Sequence, residues 1–101
     1  MLVKENIQIR PFDETNSVLQ IDENRHLLIN RATTELVKIL SAATSLEVAH
    51  KVFNQSFNQT ISMQSFRELV DEKLGGYQII LFKTKNSIAE RAHSQFLVYS
   101  S

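Results

Sequence analysis

Residues 26–40, HLLINRATTELVKIL, decide the fold of this chain. A short apolar run passes through Asn30 into a segment whose apolar residues recur at helical spacing. Asparagine is a favoured N-cap, so we expect a β-strand over residues 26–30 and a helix that begins directly after it. The apolar positions of this first helix fall on one stripe, which consists of Ala32, Leu36, Ile39, Leu40 and Ala43.

Two further strands are predicted before this helix. In residues 3–10, apolar and polar residues alternate from Ile7 to Ile9, which indicates a short strand. Pro11 is expected to end this strand. Residues 17–21 are a second apolar run, separated from the third by DENR, a stretch rich in turn formers. The second and third strands are therefore predicted to form a β-hairpin.

The middle of the chain predicts two more amphipathic helices. Thr44 and Glu47 stand three residues apart and can form a capping box before the second helix. Ser62 is suited to cap the third helix, with Ile61 and Phe66 at the spacing of a hydrophobic staple. The apolar residues that we expect to be buried are Leu46, Ala49, Val52, Phe53 and Phe57 in the second helix and Met63, Phe66, Leu69, Val70 and Leu74 in the third.

The C-terminal quarter is less regular. The pair Gly75-Gly76 predicts a left-handed end to the third helix, and residues 77–82, YQIILF, predict another strand. We assign residues 1–82 to one domain and residues 83–101 to a C-terminal tail. The apolar patch in this tail indicates either a segment that docks back on the domain or a linker to a further domain.

The composition is that of one globular domain. The chain has 101 residues, 43% of them hydrophobic, and its eleven basic and eleven acidic residues give a formal net charge of zero. The net charge therefore does not favour binding of the chain to nucleic acid or to anionic lipid. The sequence has no cysteine and no apolar secretion signal at its start, so we expect a cytoplasmic location.

Catalytic patterns are not recognisable in the sequence. His26, His50 and His93 lack the spacing of helical metal ligands, and the pair Asp71-Glu72 is expected on a solvated face of the third helix. Glycine-rich phosphate loops and nucleophile motifs are also missing. We therefore expect a binding domain, not an enzyme, with no metal and no cofactor.

A winged-helix DNA-binding domain is a weaker alternative, because strands combined with three helices are typical of it. In that fold the third helix enters the major groove. Residues 62–74 carry two basic and three acidic residues, so this helix is net acidic and poorly suited to a polyanion. We do not expect nucleic acid as a partner.

Peptide recognition by strand addition fits the pattern better. If nothing pairs beyond residues 25–30, this strand offers its N–H and C=O groups to an extended peptide, with the third helix alongside. The pattern leaves open whether the edge is instead covered by the N-terminal strand or by residues 77–82. The residues predicted to bind the peptide are Arg25, His26, Leu27, Leu28, Ile29, Arg67, Val70, Asp71 and Leu74.

The chain resembles the family of the PQQ-synthesis protein D in the order of its elements. A strand is followed by a helix with the pattern L-[LI]-N-x-x-[TA]-x-x-L-x-x-[IL]-L and then by two further helices. The small winged-helix-like domains of this family are also called RiPP recognition elements. The resemblance covers roughly residues 17–75 and is mainly one of hydrophobic spacing. The matching residues are Leu28, Ile29, Asn30, Thr33, Leu36, Ile39, Leu40, Leu46, Val48, Phe53, Phe57, Phe66, Leu69 and Leu74.

The resemblance implies that the domain binds the leader segment of a precursor peptide as an extra strand. In this family the leader lies between the last hairpin strand and the third helix and is presented to a modifying enzyme, separate or fused. The chain departs from the family at residues 42–44, AAT, where Asp-Gly is frequent, and in the run of residues 77–82 with the tail that follows.

The sequence therefore predicts an α+β fold of winged-helix character, a β-hairpin or three-stranded sheet packed on three helices, with an extra C-terminal strand. The expected partners are a leader peptide and its modifying or processing enzyme. The alternative function is a structural or regulatory interaction domain that forms a homodimer through its sheet edge or apolar tail. A membrane would be reached only through a fused or partner protein.

Overall fold

The computed structural model describes residues 2–77, 79–81 and 95–100. These residues form an α+β domain in which three helices pack on a four-stranded antiparallel sheet, so the predicted fold class is confirmed. The strands lie in the sheet in chain order: β1 (Gln8–Pro11), β2 (Asn16–Gln20), β3 (His26–Asn30) and β4 (Val98–Ser100). The helices are α1 (Arg31–Ala42), α2 (Leu46–Ser56) and α3 (Met63–Leu74), and a 3-10 turn follows at Gly75–Tyr77.

The core lies between one face of the sheet and the helices. Leu19 of β2 is paired with Leu27 of β3, and both are buried with Ile29, because alternate residues of a strand share a face. The predicted helical stripes meet this face. Their buried members are Leu36, Ile39 and Leu40 of α1, Ala49 and Phe53 of α2, and Phe66, Leu69, Val70 and Leu74 of α3.

Side-chain caps set the starts of all three helices. The predicted caps of α1 and α3 are confirmed, since Asn30 Oδ1 accepts from the Thr33 N–H at 3.0 Å and Ser62 Oγ from the Ser65 N–H at 3.1 Å. The predicted capping box at the start of α2 is wrong. Ser45 is the last extended residue before this helix, and its hydroxyl accepts from the Val48 N–H at 3.2 Å.

The end of α3 differs from the prediction. Gly75 has a right-handed conformation, with φ of −61°, so the expected left-handed end is wrong and the chain tightens into the 3-10 turn. The strand predicted at residues 77–82 is also wrong for the described residues 79–81. Ile80 forms only an isolated bridge with Val3, beside a hydrogen bond of 2.9 Å from the Lys4 N–H to the Ile79 carbonyl. These residues pair with the N-terminal segment and not with the sheet.

The solvated face predicted at Asp71-Glu72 is wrong as well. Asp71 is only 7% exposed. Glu72 forms an ion pair of 3.0 Å with Lys73, and both side chains are largely buried. Sequence spacing identifies the face of α3 that meets the sheet, but it carries no information on what covers its other faces.

Each of the two connections between the first three strands is organised by an aspartate. Asp13 accepts hydrogen bonds from the Thr15 N–H at 2.8 Å and from the Asn16 side chain at 3.1 Å. Asp22 accepts from Arg25 Nε at 2.8 Å and from the Asn24 N–H at 2.9 Å. Bonds of this kind stabilise a turn only while the carboxylate accepts them.

The Asp13 turn makes stability depend on pH. The hydrogen bonds from Thr15 and Asn16 hold the pKa of the Asp13 carboxyl below its usual value of 3.8. A depressed folded-state pKa adds stability that is present above 3.8 and is lost as the pH falls through the folded-state value. Urea unfolding is therefore expected to show the wild type more stable than Asp13→Asn at neutral pH, with the difference shrinking at about pH 3. A difference that does not change with pH would contradict this role.

Candidate functional site

The free side of β3 is occupied by the chain's own residues 95–100, which we call the docking segment. Its strand β4 pairs antiparallel with β3, placing Tyr99 opposite Leu28 and Val98 opposite Ile29. An unpaired strand edge leaves N–H and C=O groups without partners, and the docking segment supplies those partners. This edge of the hairpin is therefore a place where an extended chain is held.

The prediction that residues 25–30 form an open edge is consequently wrong in this structure. The covering strand is neither of the two that the sequence suggested, the N-terminal strand or residues 77–82. Of the two roles considered for the C-terminal tail, residues 95–100 have the docked arrangement, since they pair with β3.

Asn30 holds the backbone of the docking segment as well as capping α1. Its Oδ1 accepts from the Leu97 N–H at 3.1 Å, its Nδ2 donates to the Gln95 carbonyl at 2.7 Å, and its backbone N–H donates to the Leu97 carbonyl at 3.2 Å. The Thr33 hydroxyl donates to the same Leu97 carbonyl at 3.1 Å. All these bonds go to main-chain atoms of the segment, so they fix its position without depending on its side chains.

Phe96 is the side-chain anchor of the docking segment. It is only 1% exposed, and its ring centroid lies 5.9 Å from that of Phe53 and 5.3 Å from that of Phe57. Phe53 in turn contacts Phe66 of α3 at 5.2 Å. These distances are typical of attractive aromatic pairs, so the anchor joins the aromatic centre of the core.

The other side chains of the segment alternate between the core and solvent. Val98 is half-buried against the core, on the same side as Phe96. Leu97 and Tyr99 point the other way and are 39% and 51% exposed. Residues 96–99 therefore direct two side chains to the domain and two to solvent, as expected for an added strand with one buried face.

The strand residues predicted to bind a peptide divide by face. Leu27 and Ile29 are buried in the core, whereas His26 is exposed and Leu28 half-exposed on the opposite face. The Asn30 N–H donates to the docking segment, and main-chain groups alternate between the two edges of a strand, so those of Leu28 also face the docking segment. Leu27 and Ile29 direct their main-chain groups to β2 and their side chains to the core, and can offer a peptide neither.

Arg25 belongs to the turn before β3. Its Nε pairs with Asp22, and its Nη1 donates to the Tyr77 carbonyl at 3.3 Å. The side chain therefore joins the hairpin to the 3-10 turn after α3, which is a structural role.

The predicted contribution of α3 is wrong for three of its four residues. Val70 and Leu74 are fully buried in the core, and Asp71 is buried beside them; only Arg67 is exposed. Three of the four α3 residues expected to line a groove beside β3 are thus buried. The helices that meet the docking segment are α1, through Thr33, and α2, through Phe53.

Sequence reasoning missed part of this site. Asn30 was identified only as a cap, and Phe53 and Phe57 only as core residues. The available signal was the run of residues 96–99, FLVY, which follows the polar Gln95 and has the residue types of a strand. This signal does not show which residues of β3 these residues pair with, because strands that are far apart in the sequence leave no local pattern of their pairing.

Metal sites and membrane-spanning helices do not occur in the part of the chain that the structure describes. Among the described residues, His, Asp and Glu side chains do not gather in any group of three that could bind a metal ion. None of the helices described has the length and apolar character needed to cross a membrane. Comparisons with protein-family models, curated proteins and solved structures found no match to this chain. The geometry of β3 and its neighbours is therefore the feature of the molecule that bears on function.

Proposed function

We propose that the domain binds an extended peptide segment by strand addition along β3. The segment is the leader of a precursor peptide, and the domain presents it to a modifying or processing enzyme, without chemistry of its own. The observation that carries this proposal is the docking segment, which lies on β3 as an added strand. The cytoplasmic location expected from the cysteine-free sequence is part of the same proposal.

The nature of the contacts favours a peptide as the ligand. Asn30 and Thr33 bind only main-chain groups of the segment, and a foreign peptide carries the same groups. Each such hydrogen bond contributes about 1 kcal/mol net. A peptide held in this way is positioned in register but is released readily, which suits presentation to an enzyme.

Homodimer formation is a second candidate, favoured by one observation. The strand on β3 comes from the chain's own C-terminal part, so two copies can make the same pairing by exchanging residues 95–100. Such an exchange would bury no surface beyond what one copy already buries. We therefore rank it below peptide binding.

Amide hydrogen exchange tests the proposal. A random dodecapeptide phage library is selected on the full chain, and a selected peptide is synthesised together with a scrambled control. Because the ligand takes the place of the docking segment, the amides of Leu97 and Tyr99 are expected to lose protection while those of Leu28 and Asn30 stay protected. The scrambled peptide should change neither set.

The opposite pattern would reject strand addition. If a selected peptide binds while Leu97 and Tyr99 keep their protection, the ligand lies elsewhere, for instance on the outer face of the sheet around Val18. A selection that yields no peptide able to bind the full chain would reject the binding of a foreign leader peptide.

A further inference from the structure

We infer that the docking segment is a built-in competitor for the β3 site, and that the peptides able to replace it carry an aromatic residue, then any residue, then an aliphatic residue. This inference rests on the proposed function and specifies the chemistry of its partner. It follows from which side chains of residues 95–100 the domain encloses and which it leaves in solvent.

The inward positions define the pattern. Phe96 is enclosed by the rings of Phe53 and Phe57, at distances that a smaller aliphatic side chain would leave unfilled. Val98 is the second inward side chain and packs against the core cluster. Because Leu97 between them is exposed, its position places no demand on the ligand.

The direction of the chain is set as well. The docking segment runs antiparallel to β3. Gln95 and Leu97, on either side of Phe96, are hydrogen-bonded to Asn30, at the end of β3 where α1 begins. The aromatic residue must therefore precede the aliphatic one. A peptide in which the aromatic and the aliphatic residue are exchanged cannot place its ring between Phe53 and Phe57 and keep the hydrogen bonds to Asn30.

Competition follows from the shared contacts. The docking segment and an incoming peptide need the same groups of β3, Asn30 and Thr33, so only the fraction of molecules with an open site can bind. The apparent Kd rises by the inverse of that fraction. A change that loosens the docking segment without altering the site should therefore tighten the binding of a peptide in trans.

The substitution Phe96→Ala is such a change, because Phe96 belongs to the docking segment and not to the site. The probe is a fluorescein-labelled peptide with the sequence of residues 95–100, QFLVYS. Its Kd, measured by fluorescence anisotropy, is expected to be about tenfold or more lower for the full chain with Phe96→Ala than for the wild type. Leu97→Ala alters an exposed residue of the same segment and is the matched control, with a change of about twofold at most.

Variants of the probe test the pattern on the Phe96→Ala chain. The peptide QALVYS lacks the aromatic anchor and should bind about tenfold or more weakly, as should QVLFYS, in which the two inward residues are exchanged. The peptide QFAVYS changes only the outward position and should bind within about threefold of the original probe.

Two neighbouring threonines of α1 supply a control on the protein side. The Thr33 hydroxyl donates to the docking segment, whereas the Thr34 hydroxyl donates to the Asn30 carbonyl at 2.8 Å. Both residues are buried. In the Phe96→Ala chain, Thr33→Val should weaken probe binding about fivefold to tenfold, and Thr34→Val should leave it nearly unchanged.

The inference is overturned if Phe96→Ala binds the probe no more tightly than the wild type, or if QALVYS and QFLVYS bind alike. Should Phe96→Ala fail to fold, the milder Phe96→Leu replaces it, with a smaller tightening expected in the same direction. Library peptides that displace the docking segment but lack the aromatic–x–aliphatic pattern would overturn this inference and leave the proposed function standing. Tight probe binding with no library binder would overturn the proposed function alone.

Discussion

Replacement of Phe66 by alanine is expected to lower the free energy of unfolding by about 3–5 kcal/mol. Phe66 is fully buried on the central stripe of α3, and its ring lies 5.2 Å from Phe53 and 5.7 Å from His50. Alanine would leave a cavity where α2 and α3 meet and would remove the aromatic pairing. Urea unfolding followed by circular dichroism measures the loss.

A control on the same helix separates packing from helix propensity. Glu68 is exposed two residues after Phe66, and Glu68→Ala should change the free energy of unfolding by about 0.5 kcal/mol or less. If Phe66→Ala cost less than about 1 kcal/mol, the ring would not lie in the core and the placement of α3 would be wrong.

Asn30→Ala is expected to cost about 2–4 kcal/mol of unfolding free energy, a large effect for a polar residue. The substitution removes the α1 cap and also the two side-chain hydrogen bonds to the docking segment, at Gln95 and Leu97. A lost cap costs about 1 kcal/mol, and each of the other bonds contributes about the same. Urea unfolding measures the sum.

Asn30→Asp separates the two roles. Aspartate keeps an oxygen that caps α1 and accepts from the Leu97 N–H, but it loses the donor to the Gln95 carbonyl and sets two oxygens against each other there. We expect a smaller loss of stability than for alanine, with faster amide exchange at Leu97 and Tyr99 and unchanged exchange at Thr33. Unchanged exchange at Leu97 and Tyr99 in Asn30→Asp would contradict the role of Asn30 in holding the docking segment.

The elements with local signals were predicted well. The strand at residues 26–30 and the start of α1 match the structure, because an apolar run, an asparagine and a helical stripe follow one another directly in the chain. The Ser62 cap and the buried face of α3 were predicted for the same reason. Capping and amphipathic spacing depend on residues within four positions of each other, so a single sequence contains them.

The candidate site was predicted only in part. The strand that carries it was correct, but the prediction placed the peptide against α3 and did not include Thr33. Val70 and Leu74 illustrate the cause: their spacing shows that they are buried, yet it does not show whether a groove or the core buries them. The true neighbours of the edge come from α1, α2 and a segment more than sixty residues away in the chain.

The amino-acid sequence by itself determined the α+β class, the hairpin, the three helices and the stripes that form the core, since each depends on contacts between residues near in sequence. Only the tertiary structure decided which strand covers β3, that Asp71 is buried, and that residues 79–81 meet Val3 instead of joining the sheet. These outcomes are set by competition among distant segments for the same unpaired backbone groups and apolar surface. Which segment pairs with β3 depends on three-dimensional packing, and packing between distant segments produces no periodic pattern in the sequence.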